Sequence, residues 1–157
     1  MTMRIALVCL AMAVSVSAQS KPDFSGKWKL NIDETEFPAA RPSPATFTVV
    51  RTVEQKRNEL RLKVERVNNG QKAGFNFVTI PIGGGHHQSD EAGIITAEWK
   101  DETLHFTYLY NPGTERESER TEDWSLSPDG KKLIDREWVK RPDGQELRYT
   151  VVFDRQP

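Results

Sequence analysis

Short segments of alternating apolar and polar residues run from Ala45 to the C-terminus of the chain. Turn-forming residues separate these segments about every ten positions, which is typical of all-β domains. No helical period appears there, and the stretch from Phe37 to Pro44 is rich in proline and alanine, as expected of an irregular connection. The pattern predicts consecutive antiparallel hairpins, which together form an up-and-down meander.

Closure of such a meander removes its exposed edges. We therefore expect an all-β, antiparallel, closed barrel of about eight to ten strands, with room inside for its own side chains or one small ligand. The predicted interior consists of residues that share one face of each strand. These are Phe47, Val49, Val53, Leu60, Leu62, Val64, Phe75, Phe77, Ile95, Ala97, Trp99, Leu104, Phe106, Tyr108, Trp124, Leu126, Leu133, Val139, Leu147, Tyr149, Val151 and Phe153.

The turn sequences predict how neighbouring strands pair. Asn69-Gly70 favours a two-residue type I′ turn, because both central positions of that turn need a positive φ angle. A four-residue loop from Gln55 to Asn58 and a two-residue loop at Asp101-Glu102 connect further strands. The resulting facing pairs are Val64 with Phe75, Leu62 with Phe77, Val53 with Leu60, Val49 with Val64, Trp99 with Leu104, Ala97 with Phe106, and Ile95 with Tyr108.

The last two hairpins require a choice of register. The turn sequence Arg141–Gly144 aligns Leu133 with Phe153, which gives a coherent apolar face. A three-residue loop at Pro128–Gly130 would place Trp124 on the face opposite to Leu133. We expect a loop of two or four residues instead, because burying each such side chain contributes roughly 1.5–3 kcal/mol.

Residues 1–18 have the features of a secretory signal peptide. Arg4 is the only charge among them, the stretch from Ile5 to Val16 is too short to span a bilayer, and Val16-Ser17-Ala18 offers a small-residue cleavage site. We therefore expect one mature domain at residues 19–157, secreted or periplasmic, without stable membrane insertion.

Composition narrows the range of partners. The formal net charge of the chain is −1 at pH 7, and basic residues are interleaved with acidic ones, so we expect no nucleic-acid partner. The single cysteine, Cys9, falls within the predicted signal peptide, so packing alone must hold the mature domain. No cofactor is expected, and the oligomeric state stays open.

The segment Phe24–Leu30 opens the domain with Gly26, one intervening residue and Trp28. This motif resembles the opening motif of lipocalins and of fatty-acid-binding proteins. In such a barrel Gly26 permits a sharp bend and Trp28 plugs the closed base. The resemblance also implies that a basic side chain of the last strand, Arg148 or Arg155, covers the Trp28 ring.

Three further segments resemble a group of small secreted bacterial proteins with a lipocalin-like domain. They are Ala97–Leu104, Trp124–Lys131 and Val152–Arg155. With the opening motif they extend loosely over the mature domain and imply a calycin-type barrel. They describe turns and core positions, so the resemblance assigns no ligand chemistry to named residues.

Charged residues share the inward face of two strands near the C-terminus. If Trp124 is inside, Arg120 and Glu122 point inward as well, and Asp135 and Glu137 do so on the next strand. Such charges are costly to bury unless they are paired or hydrated. Either Arg120 anchors an anionic or carbonyl group of a ligand, or the charges lie at an open rim or pair among themselves, Arg120 with Glu137.

A cavity with one polar and one apolar half is the functional prediction. We expect a binding protein for a small, largely apolar molecule, including an acidic one. The alternative is a non-enzymatic interaction barrel whose interior is filled by its own side chains. A void of roughly 300 Å³ or more would favour binding. The predicted ligand-binding residues are Phe75, Phe77, Phe106, Tyr108, Arg120, Trp124, Glu137 and Tyr149.

Signatures of catalysis and of metal binding are weak. Asp135 and Glu137 lie two positions apart, roughly 6.5–7 Å on a strand, a spacing that inverting glycosidases tolerate but that every amphipathic strand supplies. His86, His87 and Asp90 offer metal-ligating groups, although adjacent residues of an extended chain point to opposite sides. We therefore assign no catalytic residue and no metal site.

Overall fold

The computed structural model describes residues 21–89 and 93–157, apart from the side chains of Phe75 and Ser89. The predicted signal peptide lies outside these residues. No helix in the described ranges is long and apolar enough to cross a membrane. The strands are β1 (Gly26–Leu30), β2 (Phe47–Lys56), β3 (Glu59–Asn68), β4 (Gln71–Pro81), β5 (His87–Ser89), β6 (Gly93–Lys100), β7 (Thr103–Tyr110), β8 (Ser118–Leu126), β9 (Lys132–Lys140) and β10 (Glu146–Gln156).

All ten strands belong to one antiparallel sheet in the order β4-β3-β2-β1-β10-β9-β8-β7-β6-β5. The prediction of an all-β up-and-down meander is confirmed. The sheet is not closed by a ladder between its edge strands β4 and β5. Instead, the chain just after β4 meets β6 at a parallel bridge between Ile82 and Ala97, where the Gly83 N–H donates to the Ala97 carbonyl over 2.8 Å.

An aromatic layer fills one end of the sheet, which we call the floor. Phe24 and Trp28 are fully buried there, and the Trp28 Nε1–H donates to the Phe24 carbonyl over 2.8 Å. Of the two candidate basic residues, Arg155 covers Trp28, with its guanidinium carbon 4.2 Å from the ring centroid. A Cβ on Gly26 would lie 3.2 Å from Arg155 Nη1, so the glycine allows this close approach.

Three of the predicted registers are confirmed. Trp99 faces Leu104 across β6 and β7, and Leu133 faces Phe153 across β9 and β10. Leu126 also pairs with Leu133 across β8 and β9, so the intervening loop keeps both on the apolar face, as the hydrophobic pattern required.

The pairing of β2 with β3 differs from the prediction by two positions. Lys56 pairs with Glu59, so the connecting turn has two residues and not four. Val53 therefore faces Leu62, and Arg51 faces Val64. A shift of two preserves the face of every side chain, which is why Val53, Leu62 and Val64 are buried as expected.

The pairing of β3 with β4 differs by one position, and here the predicted faces were wrong. Asn69 and Gly70 have φ angles of 49° and 76°, as a type I′ turn requires. The register then shifts between Arg66 and Val67 at a β-bulge, so that Phe77 pairs with Lys63 instead of Leu62. Phe77 is consequently 61% exposed.

Residues of the other parity fill the interior from β4. Ile80 is fully buried and Val78 packs against the core, opposite Leu60 and Leu62 respectively. Phe75 pairs with Glu65 and not with Val64, and its side chain lies outside the described part of the structure. The prediction that Phe77 faces inward was wrong, because the bulge adds one residue to β4 and reverses the faces of the residues that follow it.

Gly93 gives a test of the β6–β7 pairing. Its φ is +64°, and a Cβ there would lie 2.0 Å from the Leu109 carbonyl oxygen. We expect Gly93→Ala to lower the free energy of unfolding by more than Gly113→Ala, the matched control at φ +76° with no atom within 4 Å. The control should lose no more than about 1–2 kcal/mol from its left-handed backbone. Equal losses in urea unfolding would contradict the close approach.

Candidate functional site

A cavity of about 680 Å³ lies between the floor and the end of the sheet where β3 turns into β4. One wall is apolar and is supplied mainly by alternate residues of β2, β3 and β10. Its principal members are Phe47, Val49, Leu62, Val64, Val151 and Phe153. The wall therefore consists of the side chains that alternate toward the interior along these strands.

The opposite wall is polar and comes from β7, β8, β9 and β10. Glu122 pairs with Glu137 across β8 and β9, and Tyr149 lies beside Glu137 on β10. Arg120 faces Tyr108 across β8 and β7. All five line the cavity. The prediction that Arg120, Glu122 and Glu137 point inward is confirmed.

Five charged side chains form a connected group that we call the charge cluster: Arg51, Arg120, Glu122, Asp135 and Glu137. Arg51 Nη1 lies 2.7 Å from Asp135 Oδ2 and its Nη2 lies 3.8 Å from Glu122 Oε2. Arg120 Nη2 lies 2.6 Å from Glu122 Oε1 and 2.9 Å from Glu137 Oε2. The second interpretation of these charges, pairing of Arg120 with Glu137, therefore describes the observed geometry.

Glu122 is the centre of this cluster. It is 2% exposed and lies within ion-pair distance of both arginines. The Trp124 Nε1–H also donates to its Oε2 over 2.8 Å. Buried carboxylates are tolerated only with such compensation. Trp124 thus connects the polar wall, through its hydrogen bond to Glu122, with the aromatic core, through its ring contact with Phe106.

Arg51 was not among the predicted site residues. Its guanidinium carbon lies 4.3 Å from the Phe153 ring centroid and 5.0 Å from that of Trp124. Cation–π contacts of this kind favour the charged form of an arginine. The sequence did hold a signal, because Arg51 has the same parity as the inward residues Val49 and Val53.

Three carboxyl groups share two guanidinium groups in the cluster, and their pKa values diverge accordingly. Burial, with Glu122 next in importance, raises the pKa of Asp135 well above its ordinary value and raises that of Glu137. Burial acts in the same direction on Glu122, but the charges of Arg120 and Arg51, together with hydrogen bonds to Trp124 and Asp135, lower the pKa of that carboxyl. Asp135 and Glu137 therefore accept a proton more readily than Glu122 does.

The predicted ligand-binding residues divide into three groups. Tyr108, Arg120, Glu137 and Tyr149 lie together on the polar wall. Phe106 and Trp124 are fully buried with ring centroids 4.7 Å apart, and neither lines the cavity. Phe77 lies exposed at the edge of the cavity, and the side chain of Phe75 lies outside the described part of the structure. Contact with a ligand stays a prediction for all of them.

Arg66 is a second residue that the sequence prediction missed. It shares the inward parity of Val64 on β3 and lines the cavity. Within the described ranges no carboxylate lies within 4.0 Å of its guanidinium. Burial, followed by the charges of Arg51 and Arg120, lowers its pKa. Among the described residues, Arg66 therefore has no ion-pair partner at short range, although the charge of Glu122 acts on it from farther away.

The residues considered for catalysis or metal binding are placed as follows. Asp135 is fully buried and does not line the cavity, so it cannot touch a molecule bound there together with Glu137. Ligating oxygens of Glu122, Asp135 and Glu137 lie within 4.8 Å of one another, but each of these carboxyl groups is already in an ion pair with Arg51 or Arg120. His87 lines the cavity, and Asp90 lies outside the described residues.

Comparison with known proteins gives no family for this chain. No protein-family model matches it, and no curated protein matches its sequence. A functional argument must therefore start from the cavity and the charges around it.

Loss of Arg51 should destabilise the fold. We expect Arg51→Met to lower the free energy of unfolding by about 3–5 kcal/mol, because buried carboxyls lose their partner. Arg148→Met is the matched control, since that side chain is 79% exposed and should change stability by no more than about 0.5 kcal/mol. Urea unfolding of both variants measures the difference. Similar losses would show that the Arg51 ion pairs contribute nothing.

The raised pKa of Asp135 predicts a pH dependence of stability. Below its ordinary value of 3.8, native and unfolded chains both hold the proton, and its stabilising contribution is complete. As the pH rises through the native pKa, the free energy of unfolding falls by up to about 1.4 kcal/mol per pH unit. Asparagine has no acidic proton, so the free energy of unfolding of Asp135→Asn should fall less steeply with pH between 3.8 and the native pKa of Asp135. Parallel urea-unfolding profiles would contradict the assignment.

Proposed function

We propose that this protein is a lipocalin-like binding protein for a small, largely apolar molecule, which it holds in the cavity between the floor and the open end of the sheet. The proposal includes a secreted or periplasmic mature domain whose sheet wraps around the ligand as a barrel. The observation that carries it is the cavity of about 680 Å³, which falls within the roughly 300–1,000 Å³ of small-molecule sites.

The division of the cavity into two walls supports binding of an apolar body with a polar end. Aliphatic and aromatic side chains offer a surface that gains free energy when a ligand displaces water from it. The polar wall supplies tyrosine hydroxyls and charged groups held in place by the cluster. A few fixed polar groups on an otherwise apolar surface are the usual means of orienting a small ligand.

The alternative is an interaction barrel whose interior is filled by its own side chains. The floor and the interior above the charge cluster differ in this respect. The floor is filled, since Phe24, Trp28 and Trp124 are fully buried in it. Above the cluster the interior is not filled by the described side chains. Spare volume of this size is unexpected in a purely structural core, because interiors pack to the density of organic crystals.

The uncharged fluorophore N-phenyl-1-naphthylamine tests the proposal. We expect it to bind the wild-type protein with enhanced emission. Val49→Trp fills the apolar wall and should weaken binding by about tenfold, equivalent to about 1.4 kcal/mol. Val50→Trp is the matched control, because Val50 has the opposite parity and faces Lys29 and Glu65. It should leave the affinity unchanged.

Two results would contradict binding in the cavity. One is no emission change with the wild-type protein. The other is an equal effect of both tryptophan variants. Native mass spectrometry of the purified protein gives an independent measurement, since a co-purified molecule would add its mass to that of the chain.

A further inference from the structure

We propose that the ligand is a monoanionic amphiphile and that the guanidinium of Arg66 receives its negative charge. This inference rests on the proposed function and names the class of molecule and its orientation. The anionic group, whether carboxylate, sulfonate or phosphate ester, lies at Arg66, and the apolar body lies along the wall formed by β2 and β3.

Arg66 lies on the inward face of β3, beside the bulge that reverses β4. Arg66 is the last residue of β3 before the register shift, and it pairs with Gly74. Its Nη1 lies 3.8 Å from the point where a side chain on Gly74 would begin. The glycine and the bulge thus leave space for an inward guanidinium at the open end of the cavity.

The charges of the other two inward arginines are already compensated. Arg51 is paired with Asp135 and Arg120 with Glu122 and Glu137. These carboxylates are therefore engaged, and Arg66 has no acidic partner within 4.0 Å in the described chain. A partly buried cation without a counter-ion is unfavourable, and an anion from a ligand would supply what the protein does not.

Arg120, the anchor considered from the sequence, is less suited to this role. Its Nη2 already lies against two carboxylates at 2.6 and 2.9 Å. Its Nε is shielded from solvent and has no hydrogen-bond partner among the residues that the structure describes. A ligand anion near Arg120 would also meet the negative charge of Glu122. Arg66 is the inward arginine whose field is not cancelled at short range.

The binding partner is further restricted by the apolar wall beside Arg66. Val49 faces Arg66 across β2 and β3, and Val64 precedes it by two positions on the same face. An ion without an apolar body would leave these side chains in contact with water. The site therefore fits one charge attached to an apolar group, and it does not fit a free inorganic anion.

Two fluorescent probes test the charge preference. The probe 1-anilinonaphthalene-8-sulfonate is N-phenyl-1-naphthylamine with one added sulfonate, so the pair differs by a single negative charge. We expect Arg66→Gln to weaken binding of the sulfonate by about tenfold, the effect of losing one charge-assisted hydrogen bond, and to leave the uncharged probe within about twofold. Arg66→Lys should retain most of the sulfonate affinity.

Arg57→Gln is the matched control, because it removes the same charge from an exposed turn on the floor side of the sheet. It should change neither affinity. Circular dichroism establishes that each variant is folded. If Arg66→Gln does not fold, the salt dependence of the wild-type protein replaces it. Raising NaCl from about 0.02 to about 0.5 M should weaken binding of the sulfonate probe and leave binding of the uncharged probe unchanged.

The outcomes separate this inference from the proposed function. If Arg66→Gln loses affinity for the sulfonate probe and keeps its affinity for the uncharged probe, the result supports an anionic ligand at Arg66. Equal effects of Arg66→Gln on the two probes, equal salt responses, or wild-type binding of the uncharged probe alone would overturn the inference and leave the cavity as a binding site. Binding of neither probe to the wild-type protein would overturn both.

Discussion

Three carboxyl groups project into the interior from β8 and β9. Without cations beside them, the free-energy cost of burying their negative charges would exceed the free energy of unfolding of a domain of this size. The compensating charge of Arg51 comes from β2, which is separated from β9 by β1 and β10 in the sheet, and that of Arg120 comes from β8 itself. The Arg51–Asp135 pair therefore links two strands that are not neighbours in the sheet. The rest of the interior is arranged above and below this tie.

Below the cluster, large rings pack against one another and against the Arg51 guanidinium, so the floor is filled by side chains. Above it, the interior cannot collapse in the same way. The groups of the polar wall are held by ion pairs and cannot cross the cavity to contact the apolar wall without losing them. The same interactions that make the charges tolerable therefore keep the upper interior open.

The sequence was a good guide wherever one signal determined a position. Trp99 and Leu104 paired as their two-residue turn required, and the alternation around Trp124 placed Glu122 and Glu137 inside. It failed at β4, where Phe77 and Ile80 offer opposite parities and a bulge after a correctly predicted turn decides between them. Arg51 and Arg66 were missed for a different reason. Arginine on an inward parity is ordinarily read as exposed, and only partners distant in the chain, or a ligand, account for it.

The seam between β4 and β6 has a mechanical consequence for the sheet. In the described part of the chain the two strands meet at the Ile82–Ala97 bridge, while their neighbours are joined by continuous ladders. Widening the wall at the seam disturbs that bridge and its Gly83–Ala97 hydrogen bond instead of a full row of backbone bonds. Opening of the sheet at the seam is thus opposed by that bridge, whereas separation of β8 from β9 is opposed by a continuous ladder and by the ion pair between Arg120 and Glu137.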